Sequence, residues 1–170
     1  MVVGNLLISM LRHADRLTIG CQAQLVNIIA PIRTRAGGPA WRQTIFHPFA
    51  HTARLARGTV LQAAVRSPLM PTGRFGDVPA VDAVATHDEE TGRLTVFAVN
   101  RSTEPVTLNV DLRAFPTKRP GEHLTLAEDD PGLINTMGAP ERVVLHSAPG
   151  GTTVVLPPVS WHALSFEEQS

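Results

Sequence analysis

Apolar positions along this chain follow two different periods, and the change falls near Gly58. Upstream of it, Leu6, Leu7, Met10, Leu11 and Ala14 recur at helical spacing. They predict a first helix with Asn5 as its N-cap and with Arg12, His13 and Arg16 at its negative C-terminal end. The stretch Leu17 to Ile29 is short of charge and rich in β-branched or small residues, which predicts a strand buried on both faces, then a tightly packed turn. A Pro-Gly-rich connection runs from Pro31 through Gly37, Gly38 and Pro39. Beyond it, Ile45, Phe46, Phe49, Ala53 and Ala56 return to helical spacing and predict a second helix, with Pro48 tolerated in its first turn and Gly58 as its stop.

Downstream of Gly58 the period is two. Thr59–Val65, Val81–His87, Leu94–Asn100, Val106–Leu112, His123–Ala127, Val143–His146, Thr152–Leu156 and Trp161–Phe166 read as short strands separated by turn residues. The cleanest alternation sets Val106, Leu108, Val110 and Leu112 against Thr107, Asn109 and Asp111, as a half-buried strand requires. Asp88-Glu89-Glu90-Thr91-Gly92 reads as a hairpin loop between two of these runs. Short strands at this spacing predict an antiparallel sandwich or jelly roll. The chain therefore divides into a helix-strand-helix segment, residues 1–58, and an all-β segment, residues 59–170.

The first segment is physically incomplete as read. A strand as apolar as Leu17–Ile29 needs cover on both faces and partners at both edges, yet only two helices accompany it. It is expected to be the end of something larger. The chain has 170 residues, fewer than the roughly 250 of a complete α/β barrel.

Composition narrows the partners. Lys plus Arg and Asp plus Glu each total 15, so the basic excess that attracts nucleic acid or anionic membrane is missing. No apolar run approaches the roughly 20 residues of a membrane span. The N-terminal run Val2-Val3-Gly4-Asn5-Leu6-Leu7-Ile8 lacks both the preceding basic residues and the cleavage site of a secretory signal. A soluble cytoplasmic protein is expected. The single cysteine, Cys21, has no internal disulfide partner. Lys118 stands alone against 14 arginines and tyrosine is absent, which reads as codon usage and carries no functional weight.

Candidate chemistry is sparse. Arg35-Ala36-Gly37-Gly38-Pro39 lacks the Lys and Ser/Thr of a phosphate loop, and no cofactor motif occurs. His47 and His51 share helical spacing, but Glu is missing after the first histidine and no third ligand presents itself, so no metal site is expected. Ser160 and His162, with Asp82 or Asp88, have the residue types of a hydrolase triad without its strand-turn-helix elbow; a last strand with Trp161 in the core is the preferred reading. Asp88-Glu89-Glu90, Glu128-Asp129-Asp130 and Glu167-Glu168 read as solvated turns and a tail, not as the carboxyl pair of a glycosidase. Gln24 and Asn27 stand apart. At the end of a buried strand, polar side chains are costly unless hydrogen-bonded, and that end of a barrel strand faces an active site. Sequence leaves substrate contact and purely structural hydrogen bonding equally open for both.

Three blocks carry a resemblance: His13-Ala14-Asp15-Arg16; Ala23-Gln24-Leu25-Val26-Asn27-Ile28-Ile29-Ala30-Pro31-Ile32; and Ala40-Trp41-Arg42-Gln43-Thr44-Ile45-Phe46-His47-Pro48-Phe49. They continue through Asp77-Val78-Pro79, Asp82-Ala83-Val84-Ala85, Leu94-Thr95-Val96-Phe97-Ala98-Val99-Asn100-Arg101-Ser102 and Leu156-Pro157-Pro158-Val159-Ser160-Trp161. In this order they resemble the C-terminal part of family 51 glycoside hydrolases, the intracellular α-L-arabinofuranosidases. The resemblance implies a catalytic (β/α)8 barrel followed by a C-terminal β-sandwich, and removal of terminal arabinofuranosyl groups with retention by two glutamates. Leu17–Ala23 would be the last barrel strand, Ile45–Arg57 the last barrel helix, and Thr59 onward the sandwich. Gln24 would hydrogen-bond the arabinose ring, with Trp41, in the loop that follows, near the same pocket; Asn27 stays a substrate-binding candidate from its place at the end of the strand.

The family's two glutamates, one in an Asn-Glu and one in a Glu-Trp-Asn context, have no counterpart in these residues, and no catalytic residue is assigned. Met1 is thus expected to fall inside the ancestral barrel. The sandwich is expected to lack a strand that the family draws from its N-terminus. The chain is read as a C-terminal fragment of an arabinofuranosidase, inactive alone, acting on arabinofuranosyl oligosaccharides only with the rest of the barrel. The alternatives are a noncatalytic structural or sugar-binding module and one chain of a split enzyme. Partners would be an upstream barrel chain or further copies of this one.

Overall fold

A computed structural model describes residues 1–168. The first helix, α1, spans Val2–Arg12 with Met1 as its N-cap, so Asn5 lies inside the helix and does not cap it. Tertiary contact decides its start. Gly4 and Ile8 are its buried residues, and a Cβ at Gly4 would lie 2.2 Å from Trp161 Cδ1. Only glycine lets the helix approach the indole this closely. Arg12 anchors the other end, its guanidinium 2.5 Å from the Asp82 carboxylate and 3.1 Å from the Ala83 carbonyl oxygen. The second helix, α2, spans Phe46–Leu55, with Pro48 in its first turn; Gly58 follows at φ 73°.

Between the helices the structure corrects the expectation. Leu17–Ile29 contains no strand; Val26 alone makes an isolated bridge with Ile32. Ile19 and Leu25 are each 81% exposed. Among the described residues no neighbouring strand offers its ladder, and an apolar run without one has no reason to extend. The Pro-Gly-rich connection is instead a hairpin, β1 (Ile32–Thr34) with β2 (Ala40–Arg42), turned through Gly37 at φ 66°.

The remaining strands are β3 (Thr59–Leu61), β4 (Leu69–Thr72), β5 (Gly76–Pro79), β6 (Val81–Asp88), β7 (Arg93–Asn100), β8 (Val106–Asn109), β9 (Lys118–Leu126), β10 (His146–Pro149), β11 (Thr153–Leu156) and β12 (Ser160–Glu168). Six of them form an antiparallel sheet in the order β10-β9-β12-β7-β6-β3, while β8 pairs with β11 and β4 with β5. The β4–β5 hairpin was not legible beforehand, because Pro71, Gly73, Gly76 and Pro79 break its apolar pattern. The strand expected at Val143–His146 lies later, at His146–Pro149.

Alternation sorts the central strands between two cores. On one face of the sheet, Phe97, Val99, Leu124, Leu126, Trp161 and Ala163 meet Ile8 of α1 and Leu55 of α2. On the other, Val96, Leu164 and Phe166 meet Leu108, Val110 and Leu112, while Ala83, Ala98 and Leu156 close beside Val106. Val106, Leu108, Val110 and Leu112 thus face the core as their pattern predicts. The fold is mostly β with few helices. Burying each large core side chain contributes about 1.5–3 kcal/mol, and Trp161, Phe97 and Phe166 are all fully enclosed. The lone lysine, Lys118, is buried and bonds the Gly92 carbonyl and the Glu168 carboxylate, tying β9 to the β6–β7 turn and to β12.

Candidate functional site

Gln24, Asn27 and Trp41 lie on neighbouring parts of one substructure, each in a different situation. Gln24 is exposed, with φ 52°. Asn27 has φ 63° and is half-buried. Its Nδ2 donates to Thr34 Oγ1 at 2.9 Å, and its Oδ1 accepts from the Thr34 amide at 2.7 Å. Ile28 follows at φ 48°. Three non-glycine residues in the left-handed region within five positions, one of them β-branched, hold backbone strain that only strong local constraint sustains. Thr34 supplies one constraint. Gln43 supplies another, its Nε2 donating to the Ala30 carbonyl at 3.0 Å and its amide to the Pro31 carbonyl at 2.8 Å.

Trp41 is half-buried, and its indole Nε1–H donates to the Asn135 carbonyl at 3.3 Å. Asn135 is a residue that sequence reasoning missed. Its signal was a polar side chain inside Leu133-Ile134-Asn135-Thr136-Met137, within a segment of turn residues where an asparagine attracts no notice.

The serine and histidine weighed as hydrolase residues do meet. Ser160 Oγ lies 2.7 Å from His162 Nε2, both buried. The hydroxyl donates to the Pro157 carbonyl at 2.6 Å, so it accepts from Nε2–H, the reverse of what activates a nucleophile. His162 Nδ1 in turn lies 3.0 Å from His123 Nε2 and 3.2 Å from Thr125 Oγ1. Burial, reinforced by His123, pushes the His162 pKa down to about 3, and the ring is a neutral structural link. Asp82 pairs with Arg12 on the helix-covered face, and Asp88 bonds Thr91 and the Glu90 amide in its hairpin. Neither orients His162.

His47 and His51 stack 6.5 Å apart on α2. Burial lowers both pKa values, and nearby positive charge adds to the effect. Among the described residues no group of three or more His, Cys, Asp or Glu is placed to hold a metal ion. A cleft of about 200 Å³ between α2 and the sheet is lined by Arg54, Arg93, Glu122, Ser165 and Glu167, and one of about 520 Å³ by Arg57, Thr59, Asp88, Glu89 and Glu90. Neither contains Gln24, Asn27 or Trp41.

Residues 1–160 match the model of the alpha-L-arabinofuranosidase C-terminal domain. The chain belongs to this family. An intracellular exo-alpha-(1->5)-L-arabinofuranosidase of Streptomyces lividans is 45% identical over 96% of the chain, which covers 26% of that protein. One from Bacillus subtilis is 41% identical over 100% of the chain, covering 35% of it. Among solved structures, a family 51 alpha-L-arabinofuranosidase from Bifidobacterium longum superposes with a TM-score of 0.90 at 44% identity, over 96% of this chain and 34% of that one. The chain thus corresponds to the C-terminal part of such arabinofuranosidases and spans about a quarter to a third of their length. These two curated relatives are named intracellular, and no described helix is long and apolar enough to cross a membrane.

Proposed function

We propose that this chain supplies the C-terminal part of a retaining α-L-arabinofuranosidase, which removes terminal non-reducing α-L-arabinofuranosyl residues from arabinosides in the cytoplasm. The observation that carries this reading is the near-complete coverage of the chain, at 41–45% identity, by arabinofuranosidases. Residues 1–58 are then the end of the catalytic barrel, and residues 59–170 the larger part of its companion sandwich. On this reading Leu17–Ala23 extends as a barrel strand once barrel neighbours supply its ladder, which accounts for its exposed apolar side chains. The two-stranded β8–β11 ribbon would gain a further strand from outside these residues.

Gln24 is the residue assigned to the sugar. Its carboxamide both donates and accepts, which suits two adjacent ring hydroxyls, and it is exposed. Asn27 and Trp41 serve beside it by holding its loop. The acid/base and nucleophilic glutamates come from the remaining barrel, because glycoside hydrolysis needs two carboxyl groups about 5–5.5 Å apart for retention.

The test is co-expression with a polypeptide carrying the rest of a relative's barrel, followed by assay on an aryl α-L-arabinofuranoside. The assembly is expected to turn over and this chain alone is not. Turnover by the purified chain that vanishes when one of its own carboxylates is changed would overturn the reading. A second reading, a noncatalytic sugar-binding or structural module, is favoured by the packing of α1 and α2 onto the sheet without any barrel partner. Arabinoside binding by the chain alone, with no turnover in the assembly, would decide for it.

A further inference from the structure

Residues 127–145, between β9 and β10, contain no helix or extended strand, yet Asn135 within them is only 4% exposed. A carboxamide is costly to bury unless its donors and acceptor are engaged. Here they are. Asn135 Oδ1 accepts from the Val143 amide at 2.7 Å, and Nδ2 donates to the Val143 carbonyl at 3.0 Å and to the Arg42 carbonyl at 3.1 Å. The Asn135 main-chain carbonyl accepts the Trp41 indole N–H. Two of these bonds fasten the loop to Val143, a member of the core under the helices. The other two reach β2.

From β2 the connection continues. Register pairs Ala40 with Thr34 and Arg42 with Ile32 across the hairpin, and Thr34 holds both ends of the Asn27 carboxamide. Asn27 sits inside the strained run from Gln24 to Ile28, whose conformation persists only where its surroundings over-determine it. Hydrogen bonds therefore lead from Val143, packed in the core, through Asn135 and the β1–β2 hairpin to Asn27, three residues along the chain from Gln24.

We propose that Asn135 is a positioning residue for the arabinofuranoside site: it clamps the β1–β2 hairpin to the body of the fold and thereby sets where Gln24 stands. This rests on the reading of Gln24 given above. The residue type fits the task. Aspartate would turn its donor edge into an acceptor facing two carbonyls, and glutamine would set the carboxamide one methylene farther out in a fully occupied site.

Hydrogen exchange on the full chain, with Asn135→Ala, Asn135→Asp and Trp41→Phe, tests the clamp. The Thr34 amide is the reporter, because it is bonded to Asn27 and not to Asn135. In both Asn135 variants it is expected to exchange about tenfold faster or more while amides of β7 and β12 keep their rates, with a smaller change in Trp41→Phe. Where Asn135→Ala fails to fold, the other two variants decide. Unchanged exchange at Thr34, or equal acceleration in β7 and β12, overturns the clamp.

The catalytic assembly tests the positioning. There Asn135→Asp should raise KM about tenfold with kcat within about threefold, and adding it to Gln24→Ala should change nothing further. Additive losses would mean that Asn135 does not act through Gln24. A wild-type assembly without turnover refutes the proposed function and reduces Asn135 to a structural role, while exchange still decides whether the clamp exists.

Discussion

Two uncharged stretches of this chain, both predicted as strands, meet opposite fates. Leu17–Ile29 reads as a strand buried on both faces, and Trp161–Phe166 as a short strand of period two with Trp161 in the core. In β12 every residue from Ser160 to Phe166 is buried; in the other stretch Ile19, Leu25 and Ile28 are exposed by 81, 81 and 72%. The difference lies in neighbours. β12 pairs with β7 on one edge and β9 on the other, whereas among the described residues the earlier stretch makes only the Val26–Ile32 bridge. An apolar run states a demand for cover and for a ladder, and only tertiary partners meet it.

The largest expected effect tests the satisfied stretch. Trp161 is fully buried, with its ring 6.5 Å from Phe97 and against Gly4. Trp161→Ala should cost about 3–5 kcal/mol, read as a fall in the midpoint of urea unfolding. An equal loss from Ile19→Ala would erase the contrast, since an exposed side chain is expected to contribute within about 0.5 kcal/mol.

Next comes the contact that fastens α1 to β12. Gly4→Ala improves helix propensity by about 1 kcal/mol, so propensity alone predicts stabilisation. The added Cβ would meet Trp161 at 2.2 Å, and overpacking of this kind costs about 1–3 kcal/mol. Net destabilisation on thermal unfolding is expected; a gain would show that α1 does not rest on the sheet as described.

These elements also show what was readable in advance. Val106, Leu108, Val110 and Leu112 were legible because period-two alternation has one geometric meaning. Trp161 was legible because a large apolar residue at the start of a strand pattern has few places to go. The start of α1 was not, because Gly4 is chosen by a contact with a residue 157 positions later in the chain. The β1–β2 hairpin and Asn135 were hidden for the same reason: turn residues advertise loops, and the bonds that make Asn135 a clamp join it to positions 93 and 94 residues away. Gln24 and Asn27 drew notice as polar residues in an apolar run and the resemblance alone gave Gln24 a role, while the backbone strain around them leaves no mark in composition.

A third prediction uses pH. His162 is neutral in the fold, its pKa lowered from 6.5 to about 3 by burial and then by His123. Unfolding restores the ordinary value, so between these limits the unfolded chain binds the extra proton. The stabilisation is complete above pH 6.5 and is lost as pH falls toward 3, at about 1.4 kcal/mol per pH unit. His47, His51 and His123 are shifted in the same direction by burial and steepen the loss. Asp88, Asp111 and Glu168 are held below the usual carboxylate range by their hydrogen bonds, so their contribution fades only at lower pH. Unfolding midpoints should therefore decline between pH 6.5 and 5, before carboxylates protonate. A flat profile over that interval would mean that the Ser160–His162–His123 link is open to water.

The smallest effect on stability, and the sharpest on behaviour, belongs to the unsatisfied stretch. Leu17, Ile19, Leu25, Ile28 and Ile29 are all exposed, and covering each would be worth roughly 1.5–3 kcal/mol. That gain is available to any surface able to supply it, including a second copy of the chain, and an unpaired apolar segment is also a template for strand pairing. Ile19→Ser with Leu25→Ser should leave the unfolding midpoint of the body within about 0.5 kcal/mol, because neither side chain is buried there. Self-association seen by sedimentation should fall in the same variant. Ile28→Asn refines the point: asparagine tolerates φ near 48° better than a β-branched residue does, so it removes apolar surface and backbone strain together. In the barrel assembly the order should invert, with the double serine variant losing association with its partner while the isolated chain is improved. A double variant that self-associates as strongly as the parent, and still binds the barrel chain, would show that exposure of this stretch drives neither contact.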